Sequence, residues 1–228
     1  VLKALAPWIR ESGLTVQCDS IQPRDDQTGP EQFVQLASEC AANGIEKVSF
    51  FVSQIWTNIG DYEVRRDLFP GGEDDLRRVV ADFHAKGLQV GVYSSYSIAW
   101  HGSQARERHL DWECTGAEGQ RFDPGAFGNM CFLSDWGDFI RDKLLWLADD
   151  LGFDEIHMDG PTDIPCHQRG HRHRNAADYE YLNWQWERDL FRALRARGKY
   201  LTLPRSDSYL LMGISAMPGG YTEEDFCH

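Results

Sequence analysis

The residues best equipped for chemistry lie between Phe153 and His173, in the stretch FDEIHMDGPTDIPCHQRGHRH. An alternating apolar run ends at Asp159, and Asp163, Cys166, His167, His171 and His173 follow closely. A carboxylate placed directly after Ile156, His157 and Met158 is expected to be partly buried, so it needs either a partner or a task. Acids recur at comparable places: Asp19 after the run at 14–18, Asp207 after the run at 199–204, and Glu223, Glu224 and Asp225 near the end. Two carboxylates facing an aromatic-lined pocket are the minimal kit for breaking a glycosidic bond. One attacks the anomeric carbon or activates water, and the other protonates the leaving oxygen. Eight Trp, eight Tyr and twelve Phe supply flat rings that suit sugar binding as well as core filling.

The same stretch carries a second kind of chemistry. Cys166, His167, His171 and His173 could bring three ligands to one ion, since imidazole and thiolate both suit zinc. Arg169, Arg172 and Arg174 lie among them, and their charge opposes a cation. The expectation is therefore a polar loop, with no metal and no cofactor. A metal-dependent hydrolase built on residues 166–173 is the alternative, as is a barrel that binds carbohydrate without cleaving it.

These side chains need a frame, and the sequence supplies a repeating one. Four helical patterns each run up to a glycine: Phe33 to Ala41 before Gly44, Leu76 to Phe83 before Gly87, Trp136 to Leu151 before Gly152, and Leu182 to Leu194 before Gly198. An apolar run follows each glycine within three residues, as a helix, a left-handed cap and a strand would require. With runs at 14–18 and 213–217, this makes six strands. Alternating strand and helix predicts a parallel sheet with helical crossovers. The long repeat of about 40–65 residues fits enlarged loops after the strands, as in a (β/α)8 TIM barrel whose catalytic groups sit at the strand C-termini. No glycine-rich dinucleotide or phosphate fingerprint follows a strand. The expected architecture is one α/β domain over 1–228: a TIM barrel incomplete in this chain, with about six units present and the last two outside it.

The totals narrow the partners. A net charge of −13 disfavours nucleic acid and anionic membranes, and no apolar run approaches the roughly 20 residues of a membrane span. Six cysteines without close pairing leave the redox compartment open.

Over Leu14 to Asp225 the chain resembles the retaining α-galactosidase clan of TIM-barrel glycoside hydrolases. LASECAANGIEKVSFFV looks like the clan's first helix and second strand, KGLQVGVYSSY like its third strand, and DLGFDEIHMDG like the fourth, whose final Asp is the nucleophile. The resemblance implies Asp159 as nucleophile. GGYTEEDF stands where the clan keeps its acid/base, which implies Glu224, with Asp225 or Glu223 beside it. His157 and Met158 replace the clan's Lys-Trp, and LPRSDS replaces a signature rich in Cys, Ser and Gly. A carbohydrate substrate, oligosaccharide or glycoconjugate, is the implied partner, with flanking domains of the same chain. Tyr93, Trp100, His157, Asp163 and Arg205 are the expected substrate-binding residues. Trp184 and Trp186 fall on a helical stripe and read as structural. The long loop 101–129 reads as a lid or small excursion, with its acids Asp111, Glu113 and Asp123 solvated.

Overall fold

The computed structural model describes residues 15–18, 21–50, 52–122, 125–159 and 164–202. Five parallel strands form one sheet: β1 (Thr15–Cys18), β2 (Lys47–Phe50), β3 (Gln89–Ser95), β6 (Glu155–Asp159) and β7 (Tyr200–Thr202), adjacent in that order. Strand order follows chain order without reversal. The crossovers run through helices α1 (Gly29–Ala42), α3 (Glu73–Ala85), α5 (Asp135–Asp149) and α6 (Ala176–Ala196). The strand expected at 213–217 lies outside the described residues.

Local chemistry accounts for these elements. Thr28 begins α1 with a capping box, its backbone N–H donating to Glu31 Oε2 at 2.8 Å. Ser134 and Asn175 cap α5 and α6 by accepting from the backbone N–H of Trp136 and Asp178, each cap being worth about 1 kcal/mol. The glycines that end the four helical patterns all take left-handed backbone, with φ between 71° and 80°, which a residue bearing Cβ adopts only at a cost.

The sheet has two unlike faces because side chains alternate along each strand. Val48, Phe50, Val90, Val92, Ile156, Met158 and Leu201 are buried in one core with Phe33, Ala37, Leu76, Val79, Phe83, Leu144 and Leu194 of the helices. Phe50 sits near the middle, its ring 5.0 Å from Phe33 and 5.4 Å from Phe83. Such a side chain contributes about 1.5–3 kcal/mol by burial. The register aligns Lys47, Ser49, Gly91, Tyr93, Ser95, Glu155, His157 and Asp159 on the opposite face. That face is polar, and its last row is at the strands' carboxyl ends.

The long loop after β3 is an excursion. β4 (Ile98–Trp100) and β5 (Phe127–Asn129) form a small antiparallel ribbon, with the short helix α4 (Gln104–Arg108) between them. A further short helix, α2 (Val52–Ile55), follows β2. The expectation of a solvated Glu113 is corrected here. Glu113 is only 1% exposed, and it accepts from Arg106 Nε at 2.8 Å with Arg121 at 3.6 Å. A buried carboxylate of this kind is tolerable only when paired. Asp111 is exposed as expected, and Asp123 lies outside the described residues.

Candidate active site

Asp159 is the last residue of β6 and is half-buried at the carboxyl edge of the sheet. It pairs in register with Ser95, and Tyr93 pairs with His157 one row further in. The Tyr93 hydroxyl donates a short hydrogen bond to Asp159 Oδ2. The Tyr93 ring lies 5.1 Å from the His157 ring at 32°, so three predicted site residues form one group. The strand order brings them together: β3 and β6 are neighbours although the whole ribbon and α5 separate them in sequence.

Three further residues hold this group from behind: Trp56 and Ser94, which stand near the ends of expected strands, and Tyr62, which the sequence does not single out. Trp56 Nε1 donates to the Tyr93 carbonyl at 3.2 Å, and the Tyr62 hydroxyl donates to the Ser95 carbonyl at 2.9 Å. Ser94 Oγ donates to the Tyr62 hydroxyl at 3.3 Å. Burial pushes the Tyr62 phenol well above its ordinary range, and the Asp159 charge adds to this against the opposing Ser94 bond. Tyr62 therefore stays a neutral donor. It is also the one non-glycine among the described residues with positive φ, 53°, a conformation that only a well-determined surrounding holds. The turn signal at Gly60 and Asp61 is visible in sequence, whereas nothing there marks Tyr62.

The remaining candidates divide. Trp100 is on the β4 ribbon and is 40% exposed. Tyr96 is fully buried, donating to Glu187 Oε1 at 2.7 Å and stacking on Phe132 at 5.2 Å, so it serves the core. Trp186 stacks on Phe132 at 4.2 Å and packs on the core as expected, whereas Trp184 stacks on Tyr181 outside it. Asp163, Arg205, Glu223, Glu224 and Asp225 lie outside the described residues, as do Asp19 and Asp207.

Cys166, His171 and His173 meet Cys131, with their ligand atoms all within 4.8 Å of one another. Contacts with Cys114 and Cys131, and then His171, hold the Cys166 thiol well below the usual range, while burial pushes Cys131 up. Burial pulls His171 down, but Cys166 and the Asp111 carbonyl outweigh it and the net direction is up.

No protein-family model matches the sequence, and a search of curated proteins finds no match. Solved structures do match. The GH36 α-galactosidase AgaA of Geobacillus stearothermophilus superposes with a TM-score of 0.72 over 96% of this chain and 32% of its own length, at 17% identity. The α-galactosidase of Thermus thermophilus gives 0.61 over 87% and 40%, also at 17% identity. That of Lactobacillus brevis gives 0.69 over 93% and 30%, at 14% identity. The fold is shared with α-galactosidases. At these identities the likeness is remote and concerns the fold, and the chain spans about a third of the length of these neighbours. Variants of AgaA have been crystallised with raffinose and with stachyose.

Proposed function

We propose that this chain forms the larger part of a (β/α)8 barrel, one domain over 1–228 whose last two units lie outside it, and that it belongs to a retaining glycoside hydrolase. The observation that carries the reading is Asp159, a carboxylate at the carboxyl end of a parallel strand, oriented by the Tyr93 hydroxyl on a polar sheet face. Three further features support a barrel: strand order without reversal, helices packed on the apolar face, and long loops at the carboxyl edge, where barrel enzymes keep their sites. The shared fold with α-galactosidases supports an α-galactoside-like oligosaccharide as substrate.

In this mechanism one Asp159 oxygen attacks the anomeric carbon as the glycosidic C–O bond breaks, and Glu224 donates its proton to the departing oxygen. Asp225, or Glu223, stands beside it for the same role. Water then attacks the covalent glycosyl-Asp159 ester, giving up a proton to Glu224 and restoring both groups. His157 and Tyr93 would bind sugar hydroxyls from the row below, and Asp163 and Arg205 would do so from the loops. Trp100 would offer its exposed ring from the ribbon. None of these steps calls for a cofactor, and flanking domains of the same protein would complete the site.

The test uses the full-length parent and a panel of aryl glycosides, α-galactoside included. Asp159→Ala should lose on the order of a thousandfold or more in rate, and azide should restore turnover with inverted product configuration. An Asp159→Ala variant that keeps the wild-type rate removes Asp159 from the mechanism.

A further inference from the structure

A second cluster, built from two loops, carries an inference that does not rest on the glycosidase reading. Cys131 stands just after β5, and Cys166, His171 and His173 belong to the loop between β6 and α6. Both thiols are fully buried, and the four potential ligand atoms lie within 4.8 Å of one another. A tetrahedral zinc with bonds of about 2.3 Å to sulfur and 2.0–2.1 Å to nitrogen would hold its ligands about 3.3–3.8 Å apart. Cys166 Sγ and His171 Nδ1 are already 3.5 Å apart. Closing the rest needs only small side-chain movements.

Two features separate this cluster from ordinary thiol packing. The first is the orientation of His171. Its Nε2 lies 2.6 Å from the Asp111 carbonyl, and a carbonyl only accepts, so Nε2 carries a proton and the neutral ring presents the Nδ1 lone pair to Cys166. A ring nitrogen anchored to a backbone carbonyl while the other faces inward is how metal-binding histidines are held. The second is His173. Both its ring nitrogens are buried without a hydrogen-bond partner, although a buried imidazole ordinarily finds one. Its ring sits 5.6 Å from His171 and 5.3 Å from Tyr179, so a metal ion would satisfy the nitrogen turned to the cluster.

Two of the three arginines that argue against a cation in the sequence are committed elsewhere. Arg172 pairs with Asp135 and Asp138 at 2.8 and 2.6 Å, and Arg174 pairs with Asp178 at 2.9 Å. The backbone brings the ligands together independently of any ion: His167 N–H donates to the Thr115 carbonyl, Arg172 N–H to the Leu133 carbonyl, and Cys131 N–H to the Trp112 carbonyl.

We propose that Cys131, Cys166, His171 and His173 bind one zinc ion, a structural site that staples the loop following Asp159 to the ribbon excursion. Four protein ligands leave no open position for water, which separates this site from a hydrolytic zinc centre. Cys114, in contact with both thiols and 3.7 Å from the Tyr179 hydroxyl, backs the site without joining the ligand set.

The full-length parent, purified without chelator, is analysed for metal and then exchanged with cobalt(II). The proposal expects zinc in equal amount to protein, and a cobalt form with thiolate charge-transfer absorption and the strong visible bands of a tetrahedral site. His173→Ala and Cys166→Ser should each weaken cobalt binding by at least tenfold, given that even outer-shell changes cost ~10–100-fold. The wild-type cobalt spectrum decides the matter even if a variant fails to fold. Protein that purifies metal-free and binds no cobalt overturns the proposal, as does a disulfide among Cys114, Cys131 and Cys166 or an octahedral cobalt spectrum.

Discussion

Tyr93 is the residue on which the candidate site turns, because its hydroxyl is the described donor to Asp159. A hydrogen bond to a charged group is worth about 1.5–3 kcal/mol. Tyr93→Phe keeps the ring against His157 and removes the hydroxyl that donates to Asp159. The expected result is a fall in kcat/KM of about 10–100-fold, read on an aryl α-galactoside with the full-length protein. Equal loss in kcat and stability would instead assign Tyr93 a purely structural part. Asp159 and its neighbours were legible in the sequence because a carboxylate ending an apolar strand is conspicuous. Glu113 and Glu187 were not. A loop acid reads the same whether it meets solvent or an Arg106 guanidinium, and a helix acid gives no sign of facing inward. Cys131 was missed as a partner for Cys166 because the chain makes a whole helix-strand unit, α5 and β6, between them.

At the scale of elements, the polar sheet face poses an energetic problem that β2, β3 and β6 solve jointly. Lys47 of β2 and Glu155 of β6 form a buried ion pair, 9% and 3% exposed, although β3 runs between them. Gly91 of β3 makes this possible, since a Cβ there would stand 3.0 Å from Ser49 Oγ and 3.1 Å from Glu155 Oε2. Breaking a buried pair leaves one uncompensated charge and costs about 3–5 kcal/mol. Lys47→Met should therefore lower the denaturation midpoint sharply, and adding Glu155→Leu should recover much of the loss. A double variant no better than the single would show that the pair does not act as a unit. Helices and strands of this sheet were readable because Phe33, Leu76, Ile140 and their partners recur at helical spacing and the capping glycines punctuate them. The β4–β5 ribbon was not readable as strands. Its three-residue segments are too short to show alternation and are set by pairing across the excursion.

For the whole molecule, strand order without reversal and one apolar helix-facing surface tie each helix to the stability of the entire sheet, so a single buried charge is felt globally. Glu187 is such a group. Burial raises its carboxyl from 4.5 to about 7, with the Tyr96 hydroxyl bond opposing the shift. Between those values the folded protein keeps a proton that the unfolded chain has lost, so stability falls as pH rises through the window. Below about pH 4.5 the contribution is intact, and above about pH 7 it is gone, a difference of about 3 kcal/mol. Glu187→Gln retains an oxygen to accept from Tyr96 and cannot ionise. Its Tm should exceed that of the wild type at pH 8 by about 6–12 °C more than it does at pH 4.5, since each kcal/mol moves a domain of this size by about 2–4 °C. Comparing variant with wild type at each pH cancels the titration of all distant acids. A Tm difference that stays constant from pH 4.5 to 8 would mean that Glu187 is ionised in the folded protein throughout, with its charge met by a partner rather than suppressed by burial.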